Sequence, residues 1–398
     1  MSLATSNSLD IRQLPPVRTD GLYVHIPFCP HKCHYCDFYS VTQQSPDRMH
    51  RFVDLILREA DFWAGSACAP RPVPRTIFSG GGTPSLLPLD DMARLLSGLR
   101  SRFDLRGLSE WTVECNPATV SPEYCSMLRQ SGVDRLSFGA QSFNPAELSL
   151  LERHHLPSDV AQMMTMARDA GFRHVNVDLI YAIPGQSLDS WSRSLRAAVE
   201  LQSEHISAYN LTYEPHTPLA VKKRLGQITP VDEQTELAML RMARETLAEA
   251  GYFAYEISNY ARAGEECRHN LLYWNGGNYI GLGPSAASHV EGHRWRNRPH
   301  LGEWEQAVNN GELPAVDVEH LTPRQRAGEL VMLQLRLAGG VRFEQFKAKL
   351  QQDPKELYAL LLERLERIGL IRIDNECFAL TEKGINVADA VAGEFLEV

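Results

Sequence analysis

Short apolar runs alternate with amphipathic stretches through the first two thirds of the chain. Leu22-Tyr23-Val24-His25-Ile26 reads as a buried strand, and Pro46 to Ala64 sets Phe52, Leu55, Ile56 and Phe62 on a helical period. Thr76-Ile77-Phe78-Ser79 predicts a second strand, with a helix near Leu89 to Ser101. Trp111 to Cys115 predicts a third strand, and Ser121-Pro122-Glu123 opens the next helix with a capping serine and a first-turn proline. Strands over Arg135 to Gln141, His174 to Tyr181 and His205 to Leu211 follow, with helices near 158–170 (closed by Gly171), 187–201 and 231–250. Six strands, each followed by a helix, predict parallel sheet joined by right-handed crossovers. A closed barrel needs eight such units. The choice is between a partial (β/α)6 barrel and an open doubly wound sheet.

The polar residues favour the barrel. Gly81, Glu114 and Gln141 stand at the C-terminal ends of different strands. Asn176 and Asp178 share one strand face while Val175, Val177 and Leu179 share the other. In a barrel these strand ends converge on one mouth. The reading is therefore an α/β chain: a polar tail over 1–20, a TIM-like partial barrel over 21–290, a linker over 291–320 and a mainly helical domain over 321–398. The linker expectation rests on Arg, His and Asn near 293–300 and on Gly and Pro near 309–317. In the last domain, Leu370 to Ile373 and Phe378 to Leu380 predict a small hairpin. Helices with such a wing look like a winged-helix module; without a basic recognition helix, a lid or docking domain is the preferred reading.

Composition narrows the classes. The chain has 398 residues, 43% hydrophobic and 22% charged, as in an ordinary globular protein. No apolar run reaches the ~18 residues of a membrane span, and the first residues lack the apolar core of a signal peptide, so a cytoplasmic protein is expected. A net charge of −9 supplies no electrostatic footprint for nucleic acid. Of the eight cysteines, Cys68, Cys115, Cys125, Cys267 and Cys377 are scattered and show no disulfide ladder.

The other three form Cys29-x3-Cys33-x2-Cys36, directly after the first strand. Three thiolates on one loop hold three corners of an iron–sulfur cubane and leave one iron open. Zinc needs four ligands, usually as two clips. Here the fourth would have to come from His31, His34, Cys267 or His269, which makes the cluster the stronger reading. Gly80-Gly81-Gly82-Thr83-Pro84 follows the second strand and lets backbone approach a ligand; it lacks the Lys-Ser/Thr ending of a phosphate loop. Gly281-x-Gly283-x-x-Ala286 fits a dinucleotide signature, but Pro284 and its late position argue for a rim turn instead.

These motifs resemble the radical S-adenosylmethionine (SAM) superfamily. Tyr23 to Cys29, Gly139-Ala140-Gln141-Ser142-Phe143 and Asp178-Leu179-Ile180-Tyr181 are similar to the oxygen-independent coproporphyrinogen III oxidase family, and best to its HemW branch of heme chaperones. The resemblance implies a [4Fe-4S] cluster on Cys29, Cys33 and Cys36, with SAM chelated at the open iron. By motif match it implies SAM contacts from Tyr23, Gly81, Gly82, Thr83, Glu114, Gln141, Arg153 and Asp178, with Tyr35 near the adenine. A solvated helix face competes for Arg153. His269-Asn270-Leu271-Leu272-Tyr273-Trp274 matches the branch's H-N-x-x-Y-W motif and implies heme binding at His269; a structural histidine in an aromatic core competes. Two departures point away from the oxidase: Phe38 stands where it carries a further cysteine, and only a short polar tail precedes Gly21. The implied partners are heme, acceptor hemoproteins and an electron donor, with homodimerisation left open. The alternative functions are an anaerobic coproporphyrinogen III dehydrogenase or a related radical SAM methyltransferase.

Overall fold

The computed structural model describes residues 14–15, 18–65 and 71–397. Most of the expected 1–20 tail, and Cys68, lie outside the described residues. Residues 18–20 belong to the first strand instead.

Strand and helix alternate as the periodicity predicts. β1 (Arg18–Ile26) leads through the cysteine loop to α1 (Pro46–Gly65), β2 (Arg71–Gly81) to α2 (Leu89–Arg102), and β3 (Glu110–Cys115) to α3 (Pro122–Gln130). β4 (Arg135–Gln141) is followed by α4 (Pro145–Leu150) and α5 (Pro157–Asp169), and β5 (His174–Tyr181) by α6 (Leu188–Glu200). β6 (His205–Asn210) is followed by α7 (Pro218–Arg224) and α8 (Glu233–Glu249). Side-chain oxygens of Ser121, Asn144, Ser187, Thr217 and Asp232 cap α3, α4, α6, α7 and α8. β1 to β6 run parallel, side by side in chain order, and β6 does not meet β1, so the barrel stays open.

The chain then extends both edges of this sheet. β7 (Phe253–Ala254) and β8 (Asn259–Ala261) add antiparallel beyond β6. After α9 (Arg268–Trp274), β9 (Tyr279–Leu282) pairs parallel with β1. β10 (Ala287–Val290), β11 (His293–Asn297), α10 (Leu301–Asn309) and β12 (Ala315–His320) follow, and the strands form an antiparallel meander that brings the sheet to twelve. This overturns the expected linker at 291–320. The arginines that suggested a linker lie on the outer face of a strand pair: Arg294 pairs with Glu319, and Arg296 with Asp317, each at 2.5 Å, while Asn297 is buried. The opposite face buries Trp295, and Trp304 of α10 is fully buried.

One carboxylate fastens this extension to the barrel. Glu59 of α1 is completely buried; Oε2 accepts from Gly283 N–H at 2.8 Å and Trp304 Nε1 at 2.9 Å, and Oε1 from Asn297 Nδ2 at 2.5 Å. The Gly281-to-Ala286 segment is thus the end of β9 and its turn, held by α1 rather than shaped for a dinucleotide.

A second core belongs to the C-terminal domain: α11 (Pro323–Gln334), β13 (Val341–Arg342), α12 (Phe343–Leu350), α13 (Pro354–Leu357), α14 (Ala359–Arg367), β14 (Ile371–Ile373), β15 (Cys377–Leu380), α15 (Glu382–Ile385) and α16 (Ala388–Glu397). Its three strands form an antiparallel sheet in the order β13-β15-β14. The domain docks on the α9 region: Lys349 Nζ donates to the Asn275 and Gly276 carbonyls at 2.6 Å, and the Arg336 guanidinium lies 4.9 Å from the Trp274 ring centre.

Glu59→Leu would leave Gly283 N–H and Trp304 Nε1 buried without their acceptor, and Asn297 Nδ2 with only backbone carbonyls. The expected loss is about 3 kcal/mol or more in urea unfolding; a loss under about 1 kcal/mol would show that Glu59 does not fasten the meander.

Candidate functional site

Side chains alternate in direction along β1 to β6. One set is apolar and packs toward the helices: Val24 and Ile26, Val113, Leu136 and Phe138, Val175 and Val177, Ile206 and Ala208 are all buried. The other set lines a cavity of about 700 Å³. β3 contributes Thr112 and Glu114; β4 contributes Arg135, Ser137, Gly139 and Gln141; β5 contributes Asn176, Asp178 and Ile180; β6 contributes His205, Ser207 and Tyr209. Closed barrels fill this space with branched aliphatic side chains. Here it is polar and open, from the cysteine loop at the mouth to Cys267 and Asn270 at the floor.

The cysteine loop is held from several sides. Cys29 N–H donates to the Val41 carbonyl at 3.0 Å, and His34 N–H to that of Leu151 at 3.2 Å. Leu219 N–H of α7 donates to the His34 carbonyl at 3.0 Å, and His31 Nε2 donates to the Glu152 carbonyl at 2.6 Å. Cys29, Cys33 and Cys36 are unbridged, half-buried and face the same cavity. Thr83 Oγ1 donates to Cys29 Sγ at 3.6 Å, and Arg153 Nη1 lies 3.8 Å from Cys33 Sγ. Burial raises the Cys29 thiol, with the Thr83 hydroxyl opposing, and pushes Cys36 up to about 11. Among the described residues, no three His, Cys, Asp or Glu side chains gather closely enough to hold a single metal ion. Three thiols around one loop, with donors facing two sulfurs, suit a cluster in which the ligands bind different irons.

The glycine run closes the mouth opposite. Gly82 N–H donates to the Ile26 carbonyl at 2.9 Å and Thr83 N–H to that of Phe28 at 2.7 Å. At Gly81 (φ +102°) a Cβ would lie 2.4 Å from the His25 ring, and at Gly82 2.7 Å from the Ile26 carbonyl oxygen. Glycine is therefore required by packing on β1, whatever ligand arrives. Gln141 ends β4 at φ +64°, a strained backbone for a non-glycine residue beside a cavity.

Two acids define the electrostatics. Glu114 Oε2 accepts from Gly81 N–H at 3.1 Å. Burial, then the nearby Asp178 charge, pushes its carboxyl up to about 8. Asp178 is also raised by burial, although Asn176 Nδ2 (2.8 Å) and Ser137 Oγ (3.1 Å) donate to it. Behind Asp178 the hydrogen bonds continue. Asn176 Oδ1 accepts from Ser207 Oγ at 3.1 Å and from His205 Nδ1 at 2.6 Å, and His205 Nε2 lies 2.9 Å from Tyr255 OH. Because an amide oxygen only accepts, His205 carries its proton on Nδ1 and Tyr255 donates to Nε2.

The structure brings Tyr35, Gly81, Gly82, Thr83, Glu114, Gln141, Arg153 and Asp178 to this cavity with the three cysteines. Arg153 is not on a solvated helix face: Nη2 donates to the Gly139 carbonyl at 2.5 Å. Tyr23 stands behind the wall, its hydroxyl 3.0 Å from His25 Nδ1 and its ring stacked on Phe78. His269 is not at the cavity. It is 0% exposed, with Nδ1 2.9 Å from Thr76 Oγ1 and Nε2 2.8 Å from Tyr273 OH. Both ring nitrogens are occupied, and burial lowers the imidazole to about 3. As placed it is a core histidine, the arrangement expected of the structural reading of its motif. Sequence reading missed Thr112, Arg135, Ser137, His205 and Asn270; strand parity with Asp178 was the available signal for those on β4 and β6.

Infrared titration of the carboxyl band tests the acid pair. The folded protein is expected to lose a protonated carboxyl near pH 8. In Asp178→Asn that band should titrate lower, yet above 4.5, because burial remains. A Glu114 that ionises near 4.5 in both proteins would contradict this electrostatic account.

Comparison with known proteins bears on family and fold. A radical SAM superfamily profile matches residues 23–198, and a HemN C-terminal domain profile matches 321–387. A protein of Mycobacterium tuberculosis named heme chaperone HemW is 36% identical over 386 residues, covering 96% of each chain. Its namesake in Bacillus subtilis is 33% identical over 377 residues, covering 94% of this chain and 98% of that one. Among solved structures, the coproporphyrinogen III oxidase HemN of Escherichia coli shares the fold with a TM-score of 0.83 at 23% identity, over 97% of this chain and 92% of that one. The chain belongs to the HemW family of radical SAM proteins.

Proposed function

We propose that the chain is a cytoplasmic heme chaperone. In this reading Cys29, Cys33 and Cys36 hold a [4Fe-4S] cluster, SAM occupies the mouth of the cavity, and the protein binds heme and delivers it to acceptor hemoproteins. Near-full-length similarity to relatives named heme chaperone supports the reading. The observation that carries the choice of chaperone over oxidase is Phe38: 67% exposed, it lines the mouth two residues after Cys36, where the oxidase family has another cysteine.

A SAM-ligated cluster supplies one-electron chemistry when bound. The chain's own contribution is electrostatic. SAM brings a sulfonium and an ammonium, and the cavity meets them with Glu114 and Asp178. Burial keeps Glu114 protonated up to about 8, so a cation beside it displaces that proton. SAM affinity by titration calorimetry is accordingly expected to rise between about pH 6 and about pH 9 and to lose much of that slope in Glu114→Gln. A pH-independent affinity would remove Glu114 from the SAM site.

The functional test is direct. Protein loaded with heme, then mixed with an apo-hemoprotein, should pass its heme on, read from the Soret band. The same protein should not decarboxylate coproporphyrinogen when given SAM and a reductant; decarboxylation would overturn the chaperone reading. His269→Ala is expected to cost about 2–4 kcal/mol of stability and to leave the heme spectrum unchanged. A shifted Soret band in the folded variant would place that imidazole on the iron after all.

A further inference from the structure

The floor of the cavity holds two polar groups that the protein leaves unsatisfied. Arg135 opens β4 and is 5% exposed. Its Nε donates to Glu110 Oε2 at 3.1 Å and its Nη2 to the Glu265 carbonyl at 3.0 Å. Its Nη1 is buried and has no partner among the described residues. Thr112 faces it across the β3–β4 ladder, is 1% exposed, and its Oγ1 is also buried without a partner among the described residues. Both residues line the cavity.

Glu110 does not absorb this spare capacity. Its oxygens already accept from Arg135 Nε, from Arg268 N–H at 3.0 Å and His269 N–H at 2.9 Å, and from Cys267 Sγ at 3.3 Å. The carboxylate's charge is shared among four donors on the far side of the guanidinium. The neighbouring His205 has both nitrogens engaged, on Asn176 and Tyr255, and burial holds it neutral. Among the described residues that line the cavity, no acid stands at the floor: Glu114 is engaged by Gly81, Asp178 by Ser137 and Asn176, and Asp37 and Glu214 lie on the loops after β1 and β6.

A buried guanidinium N–H beside a buried hydroxyl is a donor pair for an oxyanion, and the fork of arginine matches a carboxylate in particular. Leaving such groups bare costs free energy, so something polar fills the place. We infer that the lumen floor is a carboxylate-binding subsite, built by Arg135 Nη1 and Thr112 Oγ1, that takes the acid group of a small organic acid. Arg135 precedes Gln141 by six residues on one strand, up to about 20 Å at about 3.3 Å per residue. The subsite therefore lies below the mouth, where SAM is proposed to bind. It rests on that placement of SAM and is independent of heme transfer.

Acetate is the probe. Titration calorimetry and thermal unfolding of the reconstituted protein in sodium acetate, against sodium chloride at equal ionic strength, are run with and without saturating SAM. Acetate is expected to bind saturably, to raise Tm beyond the chloride control, and to do so with SAM present. Thr112→Val keeps the side-chain volume and removes only a hydroxyl without a partner, so the fold is retained while acetate affinity falls about tenfold. Arg135→Lys keeps the charge and loses the fork, with a larger fall expected. The proposal is overturned if acetate behaves as chloride in the unmutated protein, which would leave the two groups to solvent. Displacement of acetate by SAM, or unchanged affinity in both variants, overturns it equally. SAM binding measured without acetate separates failure of this subsite from failure of the SAM reading.

Discussion

The register between β1 and β2 governs the mouth of the barrel. Their parallel pairing sets Ile26 opposite Gly81, and the next two N–H groups, of Gly82 and Thr83, bond to the carbonyls of Ile26 and Phe28. That pairing places the glycine run against the base of the cysteine loop and aims Thr83 Oγ1 at Cys29. A one-residue slip would turn the strand faces over and point Phe78 and Gly80 away from the lumen. Bulk at Gly81 or Gly82 would force the two loops apart. The three cysteines and the glycine backbone beside them thus share one structural origin.

The same alternation makes the lumen polar along its length. Apolar residues on one face of each strand satisfy the helices, and their neighbours are released to line a cavity. Serine, asparagine and histidine then bond among themselves, so Asp178 is hydrogen-bonded by Ser137 and Asn176, with the Arg153 charge a lesser influence. Acids kept this way retain protons that solvent-exposed acids would lose. A lumen with two raised carboxyls near the mouth and a buried guanidinium at the floor is graded in charge. Cationic groups are favoured at the top and anionic ones at the bottom.

Much of this is legible in the sequence. The strands 135–141 and 174–181 match end for end, because alternating faces and flanking Gly and Pro bound them clearly. The three cysteines and the residues at the ends of β2 to β5 share one cavity, because parallel strands leave the barrel at a common end. Three features were hidden for physical reasons. Cross-strand ion pairs such as Arg294 with Glu319 look like linker composition until the strands are paired. A motif histidine carries no mark of whether its nitrogens are free, and His269 spends both on Thr76 and Tyr273. Arg135 looks like a strand-boundary charge, and only its partners reveal a donor left over.

In the proposed arrangement the three thiols and the polar mouth form one site, with SAM against a cluster. Electron paramagnetic resonance of the reduced, reconstituted protein, recorded before and after adding SAM, tests it most directly. A [4Fe-4S] signal that changes when SAM binds is expected, as the open iron gains a ligand. A cluster signal identical with and without SAM, or no cluster signal after careful reconstitution, would contradict it.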